Sequence, residues 1–175
     1  MNTSIIIVAV LGIFILASNF YHFSGSDTDW TTHPQWLGVK PQTATGISIL
    51  LLLAAIGFIR LVWWAFMQDG TTNISQGILS NFSGNLFNYL IFTFLVSSLL
   101  WSWILDFASD SENSMYHWFV CILLWICALS VLLIIVGLYQ YDETPPSVML
   151  GTLALGTVVC LNDIGWSARY IQKHL

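Results

Sequence analysis

The sequence predicts an all-α, polytopic transmembrane helical bundle, and three observations support this prediction. The chain of 175 residues is 57 % hydrophobic and only 7 % charged, with a mean hydropathy of +0.77. Its apolar residues are gathered into five long stretches, each near the ~20 residues that an α-helix needs to cross a bilayer. Ile47–Ile59 and Cys121–Val136 are continuous apolar runs, without the alternation typical of a strand with one wet face. A single integral-membrane domain, residues 1–175, is therefore expected.

The five predicted spans follow one another through short loops, except for a longer first loop. They cover approximately residues 4–19, 46–67, 85–105, 117–140 and 147–166. The first span has no basic residue before it, so it is interpreted as a retained helix rather than a cleaved signal peptide. Pro145-Pro146 predicts the end of the fourth helix and the start of the fifth, because proline suits the first turn of a helix.

The orientation follows from the few basic residues outside the spans. With five crossings, Lys40 in the first loop lies on the same side as Arg169 and Lys173 in the C-terminal tail. Loops rich in Lys and Arg face the cytoplasm or its equivalent. The N-terminus is therefore predicted outside and the C-terminus inside.

Most tryptophans lie at predicted span ends, where an indole ring is apolar and its N–H is wet. They are Trp63, Trp64, Trp101, Trp103, Trp118 and Trp166, while Trp125 falls at mid-span. This distribution favours an aromatic belt at the membrane interfaces over a ligand site.

Arg60 is one of two ionisable residues predicted inside the spans, where burial is costly and functional roles are common. It lies about 10 Å below the nearer surface at a rise of about 1.5 Å per residue, so its side chain can snorkel to the headgroups. Anchoring or structural pairing is the favoured interpretation. Binding of an anion or a substrate is the alternative.

The second is Asp163, beside Asn162 in the fifth span. Small and polar residues share one face of this helix: Thr152, Gly156, Cys160, Asp163 and Ser167. Such a face favours close helix packing, with Thr152, Gly156 and Cys160 as packing residues. A narrow polar pathway ending at the Asp163 carboxylate is the alternative. Because the span is predicted to end at residue 166, Asp163 is expected near the surface opposite Arg60, and the two are not expected to pair.

Several membrane chemistries are excluded by residue type. A retinal protein needs a Schiff-base lysine within a span, and Lys40 and Lys173 both lie outside. A b-type haem needs intramembrane histidine ligands, and only His117 lies near a span. The three cysteines form no Cys-x-x-Cys pair and are interpreted as small apolar residues. No cofactor is therefore expected.

One group of metal-ligand residue types lies in the first loop: His22, Asp27, Asp29 and His33. Pro34 makes a helix that would align Asp29 with His33 unfavourable. We interpret the group as chance clustering in a polar loop, so no metal site is predicted.

The sequence favours a non-catalytic integral-membrane subunit that stabilises or positions partners in a larger membrane complex. It contains no Gly-x-Ser-x-Gly or His-Glu-x-x-His motif, and its helices are apolar all round. The expected partners are the lipid bilayer and other membrane subunits or further copies of the chain. The lack of a basic cluster argues against nucleic acid. The alternative is a small oligomeric channel or carrier for an ion or small solute, which Arg60 and Asp163 favour.

The predicted topology is tested with single cysteines at Lys40 and Thr72. Because the second span separates these positions, an impermeant thiol reagent should label them from opposite faces of the membrane. The parent chain, whose three cysteines lie inside spans, serves as the background control. Labelling of both positions from one face would contradict the five-span topology.

Overall fold

The chain folds as a helical membrane bundle, which confirms the predicted fold class. The computed structural model describes residues 3–24, 40–68, 70, 86–109, 111, 113–141 and 143–174. Of these residues 93 % are helical. Four described helical segments are long and apolar enough to cross a bilayer: Thr45–Met67, Leu86–Ala108, Ser114–Tyr139 and Pro146–Lys173. The first helix contains a shorter apolar segment, Ile5–Ile15, so its crossing stays a prediction, as does the orientation.

The helices have the following bounds. They are α1 (Thr3–Ser24), α2 (Pro41–Met67), α3 (Leu86–Ser109), α4 (Ser114–Tyr139), α5 (Pro146–Val159) and α6 (Gly165–His174). A π-helical turn, Cys160–Ile164, joins α5 to α6 without a break. The last helical segment therefore extends well beyond residue 166, where the sequence predicted the fifth span to end.

The helix ends follow local sequence chemistry. Both α2 and α5 begin at a proline, whose missing N–H is no loss in the first turn. The side chain of Asn113 caps α4 by accepting a hydrogen bond from the Met115 N–H at 3.0 Å. Beyond the other end of α4, the Thr144 hydroxyl donates to the Leu138 carbonyl at 2.8 Å. The break predicted at Pro145-Pro146 lies where expected.

Two helix pairs build the bundle, and α4 joins them. Helices α3 and α4, which are only four residues apart in the chain, pack side by side along their lengths, while α5 packs mainly on α2. Contacts of α4 with α5, the π turn and α6 unite the two pairs. Helix α1 packs mainly on α3 and only slightly on α2. Helix α4 is accordingly the most buried of the four long helices.

The α2–α5 pair crosses at two glycines. A Cβ atom added to Gly57 would lie 2.9 Å from the Cα of Gly151, and one added to Gly151 would lie 2.9 Å from the Cα of Gly57. Any side chain here would therefore meet backbone atoms, which cannot rotate away. Small residues that allow such close approach are the usual basis of helix association in membranes.

Substitution of Gly57 by Ala should destabilise the bundle by about 1–3 kcal/mol, because the new methyl group forces two backbones apart. Gly46 in the same helix is the matched control, since a Cβ added there has no atom within 4 Å. Gly46→Ala should be neutral or stabilising by up to about 1 kcal/mol, because alanine favours helix more than glycine. The measurement is the free energy of unfolding in mixed detergent–SDS micelles, followed by helical circular dichroism. Equal effects of the two substitutions would contradict the glycine crossing.

Candidate functional site

The π-helical turn carries a buried carboxylate, that of Asp163. Asp163 lies within the turn and is only 9 % exposed, whereas Leu161 and Ile164 on either side of it point outward. The Asn162 amide nitrogen donates a hydrogen bond to the Asp163 Oδ1 atom at 3.3 Å. A π turn inserts an extra residue into the helical spiral, and such turns occur frequently at functional sites.

Asp163 lies nearer to the middle of the last continuous helical segment than to either of its ends. The last candidate span runs over Pro146–Lys173, so seventeen residues separate Asp163 from one end and ten from the other. At about 1.5 Å per residue, the carboxylate lies about 5 Å from the midpoint of the span. The sequence predicted it near a surface because Gln172, Lys173 and Arg169 lower the hydropathy of the final residues, and this depth stays a prediction. These three side chains are exposed, whereas Tyr170 on the opposite face of α6 is buried.

Hydroxyl and thiol groups of α3 and α4 lie at a similar level. Asp163 is within electrostatic range of the thiols of Cys127 and Cys160. The Cys127 sulfur lies 3.4 Å from the Ser98 hydroxyl of α3. Cys127 is close to the middle of α4, which agrees with the central position of Asp163 along the last helical segment. A carboxylate with a neighbouring amide donor and small polar groups is able to hold a proton or a small cation.

An aromatic cluster lies between the region around Asp163 and one end of the bundle. The Nδ1 atom of His117 and the hydroxyl of Tyr170 are 2.6 Å apart and buried, so they link the start of α4 to α6. The Tyr170 ring stacks on Trp166 at 4.6 Å, and Trp166 meets Trp101 of α3 edge-on at 5.7 Å. Three helices are thus joined by four aromatic rings. The sequence placed Trp101, His117 and Trp166 at span ends, but it did not single out Tyr170 or reveal that these residues contact one another.

The mid-span tryptophan has a defined partner. The Trp125 indole nitrogen donates to the Ser167 hydroxyl at 2.9 Å, and this hydroxyl donates to the Ile164 carbonyl at 3.0 Å. The carbonyl belongs to the π turn, where regular α-helical bonding is interrupted. Ser167, which is 1 % exposed, therefore connects α4 to the turn that carries Asp163.

Arg60 lies toward the opposite end of the bundle from the aromatic cluster. Its Nε atom donates to the Ser147 hydroxyl in the first turn of α5, at 3.3 Å. Ser147 precedes Asp163 by sixteen residues, about 24 Å along the helix, so the expectation that Arg60 and Asp163 do not pair agrees with these positions. The Trp64 ring packs against Tyr141, with centroids 6.4 Å apart. The Tyr141 hydroxyl donates to Glu143 at 2.8 Å, which raises the pKa of this phenol.

The predicted packing residues face the bundle to different extents. Thr152 is fully buried, and its hydroxyl donates to the Val148 carbonyl at 2.8 Å. Gly156 is buried against α4, where an added Cβ would overlap the end of the Ile135 side chain and lie 3.3 Å from a Val131 methyl group. Cys160 is half-buried. The backbone-to-backbone contact involves Gly151, which the sequence analysis did not single out.

Metal-ligand residue types do not converge in the described part of the chain. Among those residues, no group of three or more His, Cys, Asp or Glu side chains is placed to hold a metal ion. The side chains of the first-loop residues His22, Asp27, Asp29 and His33 lie outside the description.

Known proteins give no further identification of the site. Comparisons with models of protein families, with curated proteins and with solved structures each found no match.

The His117–Tyr170 contact predicts a measurable contribution to stability. Tyr170→Phe removes the hydroxyl and should destabilise the bundle by about 1 kcal/mol, because the buried His117 nitrogen loses this hydrogen bond. Tyr116→Phe, one residue before His117 and exposed, is the matched control and should have no effect. Unfolding in mixed detergent–SDS micelles measures both. Equal stabilities of the two variants would show that the contact does not tie α4 to α6.

Proposed function

We propose that this chain is a non-catalytic integral-membrane subunit that positions partner proteins within a larger membrane complex. The observation that carries the proposal is the filled interior of the described bundle. Side chains of all four long helices occupy its centre and are at most 2 % exposed, among them Leu61, Ile91, Leu95, Val131, Ile134, Leu138, Val148 and Thr152. Interiors packed in this way resist deformation and favour a structural role over a pathway through one copy.

Helix α1 provides a surface for a partner. Its contacts lie mainly on α3, where the Ser18 and Ser102 hydroxyls are 3.3 Å apart. Among the described side chains of α1, large apolar ones are open to the surroundings, with Ile13 67 % and Phe14 58 % exposed. An open groove between α1 and α3 is lined by Phe14, Ala17, Ser18, Leu99 and Trp103. Lipid tails and an apolar helix of another subunit are both chemically suited to this surface. We assign the surface to another subunit.

A second candidate function is favoured by Asp163. A carboxylate near the middle of a bilayer is costly to retain, and such residues commonly serve ion or proton movement. An oligomer of this chain would then act as a channel or carrier for a proton or small cation. Because the centre of a single bundle is filled, the pathway would have to lie beside the π turn or between copies.

Purification separates the two functions. The tagged chain, extracted from its own membranes in a mild detergent, should retain other membrane subunits in fixed proportion, and Asp163→Asn should retain them equally. Glu143→Gln, an exposed change of the same kind, is the matched control. A single-component oligomer that conducts protons or cations in liposomes, with conduction lost in Asp163→Asn and kept in Glu143→Gln, would refute the subunit role and establish the carrier.

A further inference from the structure

Arg60 is a cation within a membrane span that no described carboxylate neutralises. It is half-buried between α2 and α5, and its described hydrogen bond joins Nε to the Ser147 hydroxyl. Among the described side chains, no Asp or Glu forms an ion pair with it. A guanidinium carries five N–H donors, and its two terminal nitrogens form no hydrogen bond to a described side chain. An unneutralised cation at the edge of a hydrocarbon layer is best stabilised by an anion.

Ser147 is oriented to assist anion binding. Its oxygen accepts the hydrogen bond from Arg60, so its own proton remains available to another acceptor. A guanidinium and a hydroxyl held side by side present donors from two different helices, α2 and α5. The glycine crossing fixes this pairing, because Gly57 and Gly151 lie about one helical turn away from Arg60 and Ser147 respectively.

The pair lies near aromatic side chains of the kind that mark a membrane interface. Trp63, three residues after Arg60, is 53 % exposed, and Tyr139 at the end of α4 is 80 % exposed. Outward-facing Trp and Tyr side chains mark the membrane–water interface. The contact between Trp64 and Tyr141 places the ends of α2 and α4 side by side. Arg60 therefore lies about one helical turn below the interface, within reach of it for a long side chain.

We propose that Arg60 and Ser147 form a binding site for a phosphate group. The terminal guanidinium nitrogens would donate to two phosphate oxygens, and the Ser147 hydroxyl would donate to one of them. Planar, two-point recognition of phosphate is the chemistry at which arginine excels. A phospholipid headgroup and a free phosphate both offer these oxygens. The nearby Glu143 carboxylate already accepts the Tyr141 hydroxyl, and its negative charge opposes anion binding. The site is independent of the proposed subunit function.

The test titrates the purified full-length chain in detergent with three probes, and calorimetry measures each affinity. The probes are a short-chain phosphatidylglycerol, a diacylglycerol with the same acyl chains, and inorganic phosphate. Phosphatidylglycerol should bind saturably and more tightly than diacylglycerol. Arg60→Leu should weaken its binding by about tenfold or more, and Ser147→Ala by about three- to tenfold, as expected for a charged and a neutral hydrogen bond. Arg60→Lys should fall between the wild type and Arg60→Leu, because it keeps the charge without the fork.

The inorganic phosphate arm identifies the source of the phosphate. Saturable binding that competes with phosphatidylglycerol supports the site with free phosphate as its ligand, and binding of the lipid alone supports it with a headgroup as ligand. Glu143→Gln is the matched control and should bind as the wild type or more tightly. If Arg60→Leu loses its helical circular dichroism, the affinity of Ser147→Ala for phosphatidylglycerol decides the test. Equal affinities for the two lipids, wild-type affinity in Ser147→Ala, or equal losses in Glu143→Gln and Ser147→Ala would overturn the proposal.

Discussion

The close crossing of α2 and α5 at Gly57 and Gly151 sets the positions of the other helices along the bundle axis. A bilayer gives apolar helices no hydrophobic reason to associate, so van der Waals contact between close backbones must replace that driving force. Two glycines that face each other allow this approach. Once the crossing is fixed, Arg60 meets Ser147 on one side of it. Farther along the same pair, Trp64 reaches Tyr141 in the loop between α4 and α5.

The bundle thus places its polar groups at different levels along its axis. Arg60 and Ser147 lie near one end of the bundle, whereas Asp163 lies in the central part of the last candidate span. A charged side chain at the centre of a bilayer costs roughly 2.5–3.5 kcal/mol on insertion scales. Placement within the π turn surrounds Asp163 with protein and with the Asn162 amide. Ser167 and Trp125 brace the same turn from α4, so the irregular backbone is itself held by side chains.

Hydropathy predicted the fold class because the bilayer constrains composition so strongly. Continuous apolar runs and the proline pair at 145 and 146 placed four long helices and the start of α5 correctly. Hydropathy did not predict the continuation of the helix through α6. The exposed Arg169 and Lys173 on its outer face lower the hydropathy there, although Tyr170 on its inner face is buried. A helical wheel assumes a regular α-helix, so it cannot predict the π turn. The predicted small and polar face is nevertheless buried at Thr152, Asp163 and Ser167.

Interhelical partners could not be predicted from single segments. In the sequence, nothing distinguishes Gly57 from other glycines, because its contact with Gly151 appears only in the folded structure. Ser147 likewise belongs to a site only because the Arg60 side chain reaches it. Likewise His117 and Tyr170 are fifty-three positions apart, and neither has a local signal that names the other. Pairing of this kind is set by the three-dimensional crossing of helices.

The central depth of Asp163 is tested most directly by spin labels along the outer face of the last span. Single labels at Leu153, Thr157, Leu161, Ile164 and Ala168 replace exposed side chains, so they leave the packed face intact. In liposomes, the ratio of collision rates with oxygen and with a water-soluble nickel complex reports the depth of each label. Because the span runs over Pro146–Lys173, the greatest depth should occur near Leu161, with Ile164 still well inside the hydrocarbon. Greatest depth near Leu153 or Thr157, with Ile164 already at the headgroups, would place Asp163 near the surface and contradict this structure.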